Sequence, residues 1–168
     1  KTIAQQKFFE FRTKLLVKCN EYGIEREDIK NALHKYTGAH RRFEYKGSFN
    51  NVNVYDDYGH HPTEIVATAN ALKQKKYHES WVIFQPHTYS RTKNLLNDFA
   101  YALQNFDHII ITDIYAAREK NIYGISAKDL ADKIGESALY ISDFNDIVNY
   151  AYSLKKDKSI EIIVDCSS

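Results

Sequence analysis

The sequence predicts an α/β fold, a mainly parallel sheet with helices on both faces. Two observations carry that prediction. Near-continuous apolar runs, "WVIF" (81–84), "HIIITD" (108–113) and "IEIIVD" (160–165), alternate with amphipathic stretches of about ten to fifteen residues. Strands of this kind are buried on both faces by crossover helices. The polar, aromatic-rich stretches "DDYGHHPTE", "QPHTYSR" and "TDIYAAREKNIYG" each follow a strand. Ligands of open α/β sheets bind beyond the carboxyl ends of the strands.

Each element has its own signal. Residues 2–21 read as a helix, with Ile3, Phe8, Phe11, Leu15 and Leu16 apolar and Gly23 ending it. Ile24 to Tyr36 reads as a second helix, acidic in its first turn as the macrodipole favours, and ended by Gly38. The pattern changes at Arg42. "RFEYKG" and "NVNVYDDYG" alternate as two strands with a turn near Gly47. Pro62 to Lys75 is helical, with Ile65, Ala69 and Leu72 inward. After the strand Trp81–Phe84, a helix from Arg91 to Gln104 turns Leu95, Leu96, Phe99 and Leu103 inward. His108–Asp113 is a strand, and Ser126 caps a helix through Lys133. Ala138–Ile141 is a strand, Asp143 caps a helix through Leu154, and Ile160–Asp165 is the last strand.

Composition narrows the function classes. The 168 residues are 43% hydrophobic and 27% charged, enough for one buried core. A net charge of +1 argues against a broad nucleic-acid surface, and Lys73, Lys75 and Lys76 read as a solvated helix end. Cys19 and Cys166 match no metal spacing and read as free thiols in a reducing compartment. No apolar run approaches the roughly 20 residues of a membrane span, and no signal peptide is visible, so a cytoplasmic protein is expected. Methionine is absent even at the first position, which suggests a piece of a longer protein. There is no G-x-x-x-x-G-K-[ST] loop, no G-x-S-x-G elbow and no C-x-x-C.

The candidate site residues lie after the strands. In "DDYGHHPTE", the histidines and aspartates could ligate a metal, contact a sugar or nucleotide, or cap the next helix. Adjacent histidines do not readily share one ion and no distant third ligand is indicated, so no metal is expected. Pro62 suits the first turn of a helix, where a missing N–H costs nothing. In "QPHTYSRTK", His87 and Arg91 are four apart. An arginine at a helix start makes an anion site, unless it simply pairs with a surface acid. Arg118 and Glu119 read as a solvated charge pair, and Arg41 and Arg42 as possible edge protection for the first strand.

Taken in order and spacing, "GAHRRFE", "DDYGHHPTEI", "FQPHTYSRTK" and "TDIYAAREK" resemble the C-terminal domain of the Mur ligase family. They closely resemble its L-alanine-adding branch, and the resemblance covers about residues 23–165. The resemblance implies a Rossmann-like domain at 38–168. Residues 1–37 would be the helical end of a central ATPase domain or a linker. It implies an ATP-dependent ligase of peptidoglycan synthesis, with ATP and Mg²⁺ as cofactors in the full-length enzyme and none bound with certainty here. The muramyl carboxylate would become an acyl phosphate, which the amine of L-alanine attacks. Partners would be UDP-N-acetylmuramate, L-alanine and the enzyme's N-terminal and central domains, with no nucleic acid and no membrane. By resemblance, Arg42, Asp57, Tyr58 and His60 face the nucleotide, and His87, Arg91 and Arg118 the amino-acid or muramyl side. No single catalytic residue is assigned. The alternatives are a ligase that attaches a recycled tripeptide to UDP-N-acetylmuramate, or a non-catalytic nucleotide-binding module. Three features depart from the family: Thr88 stands where a basic residue is common, the N-terminal helix is not alanine-rich, and the last strand runs into "DCSS" rather than a glycine-rich loop. With no phosphate loop, the chain alone is expected to be inactive.

Overall fold

The computed structural model describes residues 17–19, 21–35, 40–154 and 159–166. The chain divides into two compact units, Lys1–Gly38 and Ala39–Ser168. Most of the first predicted helix lies outside the described residues; 17–19 are helical. In the first unit, α1 (Arg26–Lys35) carries Glu27 and Asp28 in its opening turn, where negative charge suits the helix dipole.

The second unit is a six-stranded sheet. Its strands are β1 (Glu44–Phe49), β2 (Val52–Asp57), β3 (Glu79–Phe84), β4 (His108–Ile111), β5 (Ala138–Tyr140) and β6 (Ile160–Asp165). They lie in the order β1-β2-β6-β3-β4-β5. Only β1 is antiparallel to its neighbour; all other pairs are parallel. The last strand in sequence thus lies in the middle of the sheet, between β2 and β3.

The helices of this unit are α2 (Pro62–Leu72), α3 (Tyr89–Asn94), α4 (Leu96–Leu103), α5 (Ala127–Ile134) and α6 (Phe144–Ser153). Side-chain alternation along the strands divides the core. Tyr55, Val82, Phe84, Ile109, Ile111 and Ile163 pack with Ile65, Phe99, Leu103 and Leu130 of α2, α4 and α5. Trp81, Ile83, Ile110, Ile160 and Ile162 face the opposite way, onto Ile147 of α6. The expected helices on both faces are therefore present, α2, α4 and α5 on one side and α6 on the other.

Two local expectations are corrected. The β1–β2 turn is at Asn50 and Asn51, not near Gly47. Both asparagines have positive φ (47° and 65°), and Phe49 pairs with Val52 across them. Asparagine tolerates the left-handed region, and two such residues make the tight turn whose twist suits a hairpin. Gly47 (φ 146°) instead sits within β1, where the register slips by one residue. The predicted helix 91–104 begins earlier and bends at Leu95 (φ −111°) into α3 and α4. Hydrogen bonds from Leu95 N–H to Arg91 and from Phe99 N–H to Leu95 continue across the bend.

The caps form as read. Pro62 opens α2 behind His61, whose Nδ1 accepts from Thr63 N–H. Ser126 and Asp129 form a reciprocal capping box on α5. Asp143 accepts from the N–H groups of Asn145 and Asp146 to cap α6.

Candidate functional site

Because β2, β3, β4 and β6 are parallel, the segments that follow them emerge at one edge. The segment after β2 is shaped by close approach. A Cβ on Gly59 would come within 2.8 Å of Asp165 Oδ2, at the end of β6, so any other side chain would have to displace that carboxylate. Asp57 and Asp165 are register partners on β2 and β6. Asp57 is 5% exposed. Its Oδ1 accepts from the N–H groups of Phe43 and Tyr58, and its Oδ2 from the hydroxyl of Thr68. Here the Asp57 carboxylate ties the loop to α2.

Asp165 differs. Burial, then the charge of Asp57, raises its carboxyl pKa to about 8, against a hydrogen bond from Gly59 N–H. Cys166 is a free, buried thiol pushed up to about 12 by burial and by Asp165. Such a thiol carries negligible thiolate at neutral pH.

Two arginines lead into β1 and differ in their commitments. Arg41 pairs with Asp56 at 3.3 Å and donates to the carbonyl of Cys166. Arg42 is half exposed, donates to the Tyr58 carbonyl at 3.0 Å and lies 3.8 Å from Glu64. Both guanidiniums sit near the Tyr58 ring, at 5.0 and 5.9 Å from its centroid.

From Tyr58 a line of rings runs across the edge. The Tyr58 and His60 centroids are 5.1 Å apart, His60 and His87 6.1 Å, and His87 and Tyr115 5.6 Å. Thr88 N–H bonds to the Tyr115 carbonyl and Tyr115 N–H to that of Pro86, both at 2.9 Å, prolonging the β3–β4 pairing into the loops. Arg91 lies over this line, with its Nη1 at 3.3 Å from His87 Nδ1 and 3.4 Å from the His60 carbonyl. Since the guanidinium can only donate, His87 Nδ1 accepts and its hydrogen is on Nε2. Burial, then Arg91 and His60, hold the His87 pKa below its usual value, so the ring is neutral at pH 7. His60 Nδ1 is buried without a hydrogen-bond partner among the described residues.

The structure therefore brings together Tyr58, His60, His87 and Arg91, with Arg42 beside Tyr58. Arg118 is exposed on the loop after β4 and forms no hydrogen bond or ion pair with a described residue. Three contributors escaped the sequence reading. Tyr115 lay in a quoted stretch but was given no role, Asp165 looked like any strand end, and Glu119 looked like a solvated partner of Arg118. Among the described residues, no group of three or more His, Cys, Asp and Glu could hold a metal ion. None of the helices there is long and apolar enough to cross a membrane.

Comparison with known proteins agrees with this architecture. The model of the Mur ligase, glutamate ligase domain matches residues 41–164. The chain belongs to the Mur ligase family. It is 51% identical over 144 residues to a UDP-N-acetylmuramate–L-alanine ligase of Acetivibrio thermocellus, covering 84% of this chain and 30% of that one. It is 53% identical over 131 residues to the ligase of the same name from Caldanaerobacter subterraneus subsp. tengcongensis, covering 76% and 28%. The chain thus spans about a third of the length of the curated relatives it matches. The fold is also that of solved structures. A UDP-N-acetylmuramate–alanine ligase from Thermotoga maritima aligns with TM-score 0.65 and 23% identity, covering 91% of this chain and 32% of that one. A murein peptide ligase from Psychrobacter arcticus aligns with TM-score 0.63 and 23% identity, covering 80% and 28%.

Proposed function

We propose that this chain is the C-terminal domain of an ATP-dependent ligase that joins L-alanine to UDP-N-acetylmuramate. The observation that carries the reading is the 51% identity over 144 residues to a ligase of that name. It favours L-alanine addition over tripeptide attachment and over a non-catalytic module.

The site supports a division of labour. The Arg91 guanidinium beside a neutral His87 imidazole suits the carboxylate of a small amino acid, one group giving charge and the other an N–H donor. The Tyr58 and Tyr115 rings would confine the space around it. Arg42, half exposed, suits an anionic phosphate oxygen of ATP. ATP, when bound, supplies the phosphoryl group that activates the muramyl carboxylate. Asp57 makes a poor ribose contact in this arrangement, since its oxygens already accept three internal hydrogen bonds. The described residues do not suit Mg²⁺, so its ligands would come from another part of the enzyme. Residues 1–37 would belong to the preceding domain or its linker, and the enzyme would work in the cytoplasm.

The test is the complete coding sequence expressed as protein. It should release ADP only when UDP-N-acetylmuramate and L-alanine are both present. The 168-residue chain, which has no phosphate loop, should release none. Equal turnover with a tripeptide in place of L-alanine would refute the assignment.

A further inference from the structure

We propose that Glu119 is a positioning residue that clamps the first turn of α3 and so sets the placement of Arg91 and His87. The role in substrate binding rests on the reading of the site given above; the clamp itself does not.

The carboxylate of Glu119 holds both donors of Ser90. Its Oε2 accepts from Ser90 N–H at 2.9 Å, and its Oε1 accepts from the Ser90 hydroxyl. These bonds from Ser90, hydroxyl first and then N–H, hold the Glu119 carboxyl below its usual pKa, so it is ionised at neutral pH. Ser90 is the residue before Arg91, and α3 is only six residues long. A helix that short does not hold itself together. It begins after Thr88, whose φ of 64° is rare for a β-branched side chain. Such a backbone persists only where its surroundings hold it.

The surroundings act from two sides. Within α3, Thr92 is fully buried and its hydroxyl returns to the Thr88 carbonyl at 2.7 Å. From the loop after β4 come the Tyr115 carbonyl, bonded to Thr88 N–H, and the Glu119 carboxylate on Ser90. Glu119 therefore fastens the loop carrying Tyr115 to the turn carrying Arg91. The groups around His87 that carry or can carry charge are Arg91, His60 and Glu119, and only Glu119 raises its proton affinity.

The clamp can be tested in the 168-residue chain by amide exchange and histidine-ring NMR. Glu119→Ala should speed exchange of the Ser90 amide hydrogen tenfold or more, as the loss of a charge-assisted bond requires. It should also lower the His87 titration midpoint, since it removes the neighbouring charge that favours the protonated ring. His78, hydrogen-bonded to Ser159 at the other end of the sheet, should not move. Glu119→Gln keeps an acceptor oxygen but no charge, so it should restore much of the Ser90 protection and none of the His87 midpoint. In a complete ligase carrying this domain, Glu119→Ala should raise KM for the amino acid about tenfold and leave KM for ATP within twofold. Unchanged Ser90 exchange and His87 titration in Glu119→Ala would overturn the clamp. Should that variant not fold, an unmoved His87 midpoint in Glu119→Gln would do the same. Altered NMR readouts with an unchanged amino-acid KM would uphold the clamp and overturn the reading of the site as an amino-acid pocket.

Discussion

Replacing Asp165 with asparagine should stabilise the protein, and increasingly so as pH rises. Asp165 is 6% exposed at the end of β6, opposite Asp57 in register and also repelled by Glu64. Only Arg41 and the Gly59 N–H favour its charged form. Its pKa rises from 3.8 in the reference state to about 8 in the fold. Between those values the folded chain keeps a proton that the unfolded chain sheds. Stability therefore falls as pH rises from about 4 to about 8, and levels off above that. Four units at roughly 1.4 kcal/mol each set a ceiling of about 5–6 kcal/mol. The carboxyl end of a strand can relax and admit water, so about 2–3 kcal/mol is the expected gain. Asparagine keeps the acceptor for Gly59 N–H and never ionises. Urea unfolding followed by circular dichroism, for both proteins from pH 4.5 to 8.5, reads the effect, because the titrations of groups not coupled to Asp165 cancel in the difference. The two proteins should be nearly equal at pH 4.5 and furthest apart at pH 8.5. A difference independent of pH, or an asparagine variant less stable at pH 8.5, would show that Asp165 is ionised and held by Arg41.

In a complete ligase, Arg91→Ala should cost about 1.5–3 kcal/mol in amino-acid or muramyl-substrate binding, roughly tenfold to a hundredfold, with little change in KM for ATP. Arg42→Ala should do the reverse; steady-state kinetics with each substrate varied in turn separates the two, and an ATP-only effect of Arg91→Ala would withdraw the amino-acid role from that residue. Ser126→Ala removes the hydroxyl of the α5 capping box and should lower stability by about 1 kcal/mol in urea unfolding; no loss would mean that Asp129 alone caps the helix.

Much of the site was legible because its chemistry is local in sequence. His87 and Arg91 share one turn, and Tyr58 and His60 lie on one short loop, so their residue types and spacing announced polar contacts beyond strand ends. What could not be read was how each polar atom is used. Asp57 looked free to bind a ribose, yet its partners come from Phe43 and Thr68 as well as its neighbour Tyr58. Glu119 looked paired with Arg118, yet its partner is Ser90, 29 residues away. Hydrogen bonds between loops depend on how the strands are ordered, and no local pattern encodes that.

Among the described residues, the sequence by itself determined the strands, most of the helices and most of their caps, because the periodicity of burial and the chemistry of a cap act over a few residues. It therefore also determined that the polar segments share one edge, since parallel strands joined by crossover helices all point the same way. It misplaced the hairpin turn, because glycine and asparagine both permit positive φ and only the pairing of β1 with β2 selects between them. The tertiary structure alone decided that β6 lies between β2 and β3. That insertion buries Asp165 beside Asp57 and Gly59, and burial first, then the charge of Asp57, raises the proton affinity of its carboxyl.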